Sequence, residues 1–335
     1  MPAEPLRTLY ILGAGASKDD NAPLQGDLAG ECKNRFIAQD LRYDGWFSRD
    51  DHQEIITFLH EHWPDDRYPP MEDIFASILI PDLLRGKKSS NLRIYNKLIY
   101  LLGHIIDSLT SGSIESSTTY RFLQSIDINN NREFIDFLSM NWDIFLDHAL
   151  ETLNLRVNYG LSDELLIDTH PLANHQHHVN VCKIHGSFNW MKCMKCKKTF
   201  LIHKQKGIFE SARNQLTHDH GDEGIDYRFI PDIIPPSYLE RFKTSVFTSL
   251  MNNAIEMIMR SNNIVIIGYS FPDADVHMRY ALLQGLKGRK TSVTIVDPAP
   301  RIDRISPFIP AREIHVVAKT FKEYIVDLEI PIDIY

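Results

Sequence analysis

Six short runs rich in apolar and β-branched residues punctuate the chain, at positions 9–12, 134–138, 179–184, 264–267, 293–296 and 314–317. Their apolarity is continuous rather than alternating, as in strands covered by helices on both faces. Segments with helical spacing lie between them. In 273–286, Met278, Ala281, Leu282 and Leu286 share one face, and Pro272 and Asp273 suit a helix start. Residues 248–260 form a second such segment. This alternation of strand and helix predicts an α/β fold on a doubly wound parallel sheet.

The rhythm breaks twice. From about 50 to 124 there are helical patterns (54–60, 71–84, 92–109) and no convincing strand, which predicts a helical insertion with the polar stretch 111–119 as its exit loop. From about 191 to 226 the chain reads as a small irregular module carrying Cys193, Cys196 and several histidines. The whole chain, 1–335, is thus expected to be one domain with two embellishments.

Composition narrows the function classes. A length of 335 residues, 43% hydrophobic and 24% charged, suits one large core. The net charge of -8 argues against a broad nucleic-acid footprint, and no stretch approaches the roughly 20 apolar residues of a membrane span. No direct nucleic-acid or membrane contact is expected. The apolar run from Leu9 to Ala16 leads straight into a Gly-rich turn, so it reads as a buried strand rather than a signal peptide. Four cysteines, unevenly placed, make no disulfide framework, and a cytoplasmic protein is expected.

The ends of the expected strands carry the chemistry. The first enters Gly13-Ala14-Gly15-Ala16-Ser17, where a strand, a Gly-rich turn and a helix start can bring backbone N–H groups to a pyrophosphate, as in a Rossmann-like sheet. Gly13 would allow the tight turn, Gly15 the close approach, and Ser17 a bond to phosphate or a helix cap. A tight turn with no ligand is the alternative. The second strand leads to Asn141-Trp142-Asp143 and the third to His185-Gly186-Ser187, whose histidine suits a general base near neutral pH. Singly, Asn141 reads equally well as a turn cap and His185 as a loop histidine satisfied by backbone. The next strands end at Gly268-Tyr269-Ser270, where a bare glycine and a hydroxyl suit a ribose, and at Asp297, whose carboxylate suits ribose hydroxyls unless Asp297-Pro298 is a plain turn.

In that order the motifs resemble the sirtuin family over nearly the whole chain. The stretches Met71-Glu72-Asp73-Ile74-Phe75, Lys183 to Trp190, and Gly268 to Asp275 look closer to bacterial sirtuin-like proteins, several of which degrade NAD in anti-phage defence, than to deacetylases. The resemblance implies that Gly13, Ala14, Gly15 and Ser17 hold the pyrophosphate of NAD+. It places Asn141 and Asp143 at the nicotinamide, makes His185 catalytic, and sets Gly268, Ser270 and Asp297 toward the adenosine end. It further implies self-assembly and a ring ATPase partner of the HerA type. The sequence departs from deacetylases in two places: no arginine follows Pro23-Leu24-Gln25-Gly26, and Ile234-Pro235-Pro236-Ser237-Tyr238 stands where an acyl peptide would pair.

Cys193-x-x-Cys196 lies where sirtuins carry a four-cysteine zinc module, but the second pair is missing. His203, His218 and His220 are near enough in sequence to complete a zinc site; a vestigial knuckle without metal is the favoured alternative.

The expected activity is hydrolysis of the nicotinamide–ribose bond to nicotinamide and ADP-ribose. Asn141 would orient water or ribose hydroxyls, His185 would accept a proton, and Asp143 would contact the carboxamide or order Asn141. Rival expectations are a non-catalytic NAD or ADP-ribose sensor and an NAD-dependent protein deacylase. A dehydrogenase is weaker, because the loop lacks the third glycine of the dinucleotide fingerprint.

Overall fold

A computed structural model describes residues 6–329 apart from 40, 42, 44–45, 86–90, 110–111, 170–176, 204–206, 217–228, 236–243 and 310–313. Among the described residues eleven strands form two sheets. They are β1 (Thr8–Leu12), β2 (Ile135–Ser139), β3 (Arg156–Asn158), β4 (Ile167–Asp168), β5 (His178–Lys183), β6 (Gly186–Cys193), β7 (Thr199–Leu201), β8 (Phe229–Ile233), β9 (Asn263–Ile267), β10 (Ser292–Val296) and β11 (Ile314–Val317).

The larger sheet is parallel throughout, in the order β11-β10-β9-β1-β2-β5-β3. Alternate residues of its strands feed two cores. Leu9, Ile11, Leu138, Cys182, Ile264, Ile266 and Val293 pack under helices Ser245–Arg260 and Val276–Gly285. Tyr10, Leu12, Phe137, Val181, Val265 and Ile267 pack under Thr118–Ser125, Phe145–Thr152 and Phe321–Glu329. Burial on both faces explains the unbroken apolar runs and fixes the doubly wound α/β architecture.

Strand order reverses at β1, which pairs with β2 on one side and β9 on the other. A crevice forms beyond the carboxyl ends of strands at such a point. Leu12 is in register with Ile267, so the turns after β1 and β9 leave the sheet at one level.

The segments read as a helical insertion and an irregular module share a third core. Helices Leu28–Ala38, Arg49–His62, Met71–Arg85 and Asn91–Leu109 pack on the second sheet, ordered β4-β7-β6-β8. Leu98, Leu101, Leu102 and Ile105 of the longest helix meet Phe188, Met191, Phe209 and Ile230 there. The span 191–226 is less irregular than its sequence suggests, since it holds the end of β6, β7 and helix Ile208–Gln215. In place of a purely loop-like exit at 111–119 stand a 3₁₀ turn, Ile114–Ser116, and a helix starting at Thr118 under the Ser117 cap. Among the described residues no helix is long and apolar enough to cross a membrane.

Candidate active site

The turns after β1 and β9 are built against each other, backbone on backbone. Gly13 N–H donates to the Ile267 carbonyl at 2.9 Å, Gly15 N–H to Gly268 O at 2.8 Å, and Gly268 N–H to Val296 O at 2.9 Å. A Cβ on Gly15 would stand 2.7 Å from Gly268 Cα, and Gly268 itself has φ +59. Only glycine fits that approach at no steric cost. The amides of Gly13, Gly15 and Ala16 are thereby directed into the protein, Ala16 N–H donating to Gly13 O. Ala14, Gly15, Gly268 and Ser270 line a cleft of about 770 Å³ above the two turns, whereas Gly13 lies buried beneath it.

Asn141 ties the next strand end to this loop. Its Nδ2 donates to Gly13 O at 2.9 Å and Ser17 Oγ at 3.0 Å, which commits both amide hydrogens and leaves Oδ1 as the acceptor toward the cavity. Ser17 therefore faces Asn141 and Asp143 rather than the large cleft. With Asn141, Trp142 and Asp143 it lines a narrow side pocket of about 40 Å³. Burial raises the Asp143 carboxyl above the ordinary carboxylate range, against the lowering pull of Lys183 and of the Ser17 hydroxyl. Lys183, 1% exposed, donates to the Asp143 carbonyl and to Asp147 Oδ2 at 3.0 Å, and Tyr159 OH donates to Asp147 as well. The turn carrying Asn141 and Asp143 is thus anchored on a buried cation.

His185 sits where β5 turns into β6, behind the cleft wall. Its Nδ1 lies 3.0 Å from the Ile234 carbonyl and its Nε2 3.3 Å from Asp275 Oδ1. The bland expectation of a backbone-satisfied histidine therefore describes one of its two nitrogens. Asp275, which lines the cleft, also accepts from Tyr269 OH at 2.6 Å. His277 stacks edge-on against His185, and burial, then the charge of His185, push its pKa down to about 3.

The far end of the cleft is mixed in charge. Lys18, Arg304 and Lys319 reach its lining beside Asp273 and Asp297. Asp297 Oδ1 accepts from Ala299 N–H at 2.8 Å, the self-bonded turn its Asp-Pro sequence allowed, and Ser270 is exposed. Sequence reasoning left Asp275, Glu72, Lys18 and Lys319 out of the site. Asp275 and Glu72 lie within the stretches that carry the family resemblance, but neither ends a strand. Glu72 enters from helix Met71–Arg85, its carboxyl raised by burial.

Two groups bear on metal. Cys193 is buried at the end of β6 and Cys196 half-buried in the turn beyond it. His203 does not turn toward them: Nδ1 meets Glu151 at 3.0 Å and Nε2 meets Asp168 at 2.8 Å. His218 and His220 lie outside the described residues, as do His170, His175 and the prolyl segment from 236 onward. Among the described residues no histidine or carboxylate groups with the cysteine pair at metal-binding distance. His185, Asp275 and His277 do bring one donor atom each within 4.8 Å of the others, a set able to hold a cation by its chemistry.

No family model matches the chain, and no curated protein matches it. Solved structures similar to it include a Sir2 homologue complexed with 2′-O-acetyl ADP ribose, at 13% identity over 96% of this chain and 89% of that chain, with a TM-score of 0.49. A Sir2 homologue–NAD complex matches at 11% identity over 96% and 88%, with a TM-score of 0.48. Sir2Tm bound to a propionylated peptide matches at 12% over 96% and 91%, with a TM-score of 0.46. Likenesses at these identities and TM-scores assign neither a family nor a ligand to this chain.

Proposed function

We propose that the chain binds NAD+ in the cleft and breaks its nicotinamide–ribose bond, with water as the acceptor and nicotinamide and ADP-ribose as products. One observation carries this reading. The Gly-rich turn, Asn141, Ser270 and Asp297 come from separate strand ends and converge on one crevice at the point where strand order reverses, and Asp275, backed by His185, lines it with them.

The dinucleotide would lie across the crevice, its pyrophosphate over Ala14 and Gly15 with Lys18 and Lys319 as counter-charges, and its adenosine ribose near Ser270 and Asp297. The nicotinamide would lie in the cleft beside Asn141, at the mouth of the small side pocket lined by Asp143. The Asp143 side chain would contact the carboxamide or order Asn141. Asn141 Oδ1 would accept from the attacking water or a ribose hydroxyl and hold it in line with the breaking bond. Departure of neutral nicotinamide leaves an oxocarbenium-like ribose, and the water that captures it must lose a proton. The His185–Asp275 pair is the acceptor at hand.

In the same reading the subunit acts within an assembly, with copies of itself and a HerA-type ring ATPase, in anti-phage defence. That part rests on the sequence resemblance.

The test is incubation of the purified chain, alone and in its native assembly, with NAD+ and separately NADP+, resolving nicotinamide and ADP-ribose by chromatography. Cleavage that Asn141→Ala abolishes supports the reading. Tight NAD+ binding without turnover in either preparation replaces it with a sensor, and release of nicotinamide only with an acyl-lysine peptide replaces it with a deacylase.

A further inference from the structure

A carboxylate stands between His185 and the cleft. His185 is 1% exposed and does not line the cavity; Asp275, 2% exposed, does. The Ile234 carbonyl can only accept, so Nδ1 of His185 carries a hydrogen and Nε2 is the nitrogen left to exchange one. That nitrogen lies 3.3 Å from Asp275 Oδ1, and among the described residues neither atom makes a well-aligned hydrogen bond. Two buried polar atoms left short of a bond and pointed at each other are costly unless a proton is shared between them. The other carboxylate oxygen is fixed by Tyr269 OH.

We propose that Asp275 is the group that touches the reacting water, and that His185 is a positioning residue acting through it. This rests on the NAD-cleaving reading and names the proton acceptor within it. As the C1′–N bond breaks, its electron pair leaves with nicotinamide. The water oxygen bonds C1′, one water proton passes to the Asp275 carboxylate, and His185 Nε2 holds that carboxylate in place through Oδ1. Atoms and charge balance without a co-reactant, and the proton returns to solvent as ADP-ribose departs.

The surroundings suit this role. The groups facing Asp275 are His185 from the β5–β6 turn, Tyr269 beyond β9, His277 on helix Val276–Gly285 and Glu72 on helix Met71–Arg85. Burial alone would raise the carboxyl. His185, then His277 and the Tyr269 hydroxyl, outweigh it and keep Asp275 below the ordinary carboxylate range. The acceptor is therefore ionised at neutral pH, and protonating it at low pH should switch turnover off.

The decisive experiment is the pH dependence of kcat for NAD+ cleavage by the full chain, with ADP-ribose affinity measured on each variant. Asp275→Asn is expected to lower kcat by about 10²–10⁴, the usual worth of a general base, while ADP-ribose still binds within about threefold. His185→Gln is expected to lose less, and its acidic limb should move to higher pH, because the carboxyl loses the neighbour that holds it down. Tyr269→Phe should move the limb the same way by a smaller step, and it reports on the carboxylate even if His185→Gln fails to fold. Asp275→Asn with kcat within threefold of the parent overturns the inference, as does a stoichiometric metal in the purified protein that this variant loses. An unmutated chain that neither binds nor cleaves NAD+ sinks the underlying function instead, and this inference with it.

Discussion

Replacing Gly15 with alanine separates two reasons for a glycine in the first turn. If the glycine exists to let a phosphate approach, Gly15→Ala should spare stability and weaken ligand binding. The structure gives a different reason. The added Cβ would lie 2.7 Å from Gly268 Cα and 2.9 Å from Gly268 O, both backbone atoms of a turn pinned by the Gly15–Gly268 and Gly268–Val296 hydrogen bonds. No rotamer relieves that overlap, so the two turns must part. Overpacking at a rigid site costs about 1–3 kcal/mol, a large share of the roughly 5–15 kcal/mol that holds a protein folded. Gly268→Ala is worse. Its Cβ would lie 2.4 Å from Ala16 N, and its φ of +59 adds about 1–2 kcal/mol of left-handed strain. The expected order is wild type, Gly15→Ala, then Gly268→Ala. The double variant should be less damaged than the sum, because both changes force open one contact. Urea unfolding followed by tryptophan fluorescence reads the stabilities, and calorimetry with ADP-ribose reads the site. A Gly15→Ala variant with the parent's urea midpoint and lost ADP-ribose binding would refute the packing argument.

Three further outcomes follow from the same geometry. Lys183→Met should destabilise by about 3–5 kcal/mol, since Asp147 is left buried without its cation, and a Lys183→Met/Asp147→Leu pair should recover much of the loss in urea unfolding. Asn141→Ala should cut kcat at least about tenfold, equivalent to about 1.4 kcal/mol, because Gly13 O and Ser17 Oγ lose their shared donor; an unchanged kcat would remove Asn141 from the mechanism. Burial works against a charge on His203, but bonds to Asp168 and Glu151 outweigh it and push its pKa up to about 9. A folded pKa above the unfolded value adds stability that is fully present below about pH 6.5 and lost as pH rises through 9. Thermal melts from pH 6 to 9.5 should fall accordingly, and His203→Gln should flatten that slope.

The sequence by itself revealed six of the seven strands of the large sheet and the polar residues at their carboxyl ends. Both faces of a parallel strand must be covered, so β1, β2, β5, β9 and β10 announce themselves as runs rich in apolar residues, as does the half-exposed β11 at the sheet edge, and polar residues right after them mark the crevice. The shorter strands β3, β4 and β7 gave no such signal. They span two or three residues, too few to show a period, and β8 holds a proline within a short apolar run. Only the tertiary structure joined the helices from Leu28 to Leu109 with the second sheet, because packing between distant segments leaves no periodic trace in either one. It also decided which groups the candidate site residues touch. Ser17, expected to bond a phosphate or cap a helix, accepts a hydrogen bond from Asn141, and His203 meets two carboxylates rather than the cysteine pair. Asp275 came between His185 and the cleft. Residue type and spacing say which groups are available, but which hydrogen each one gives up, and to whom, depends on distant contacts such as that of Asn141 with Gly13, 128 positions away in the chain.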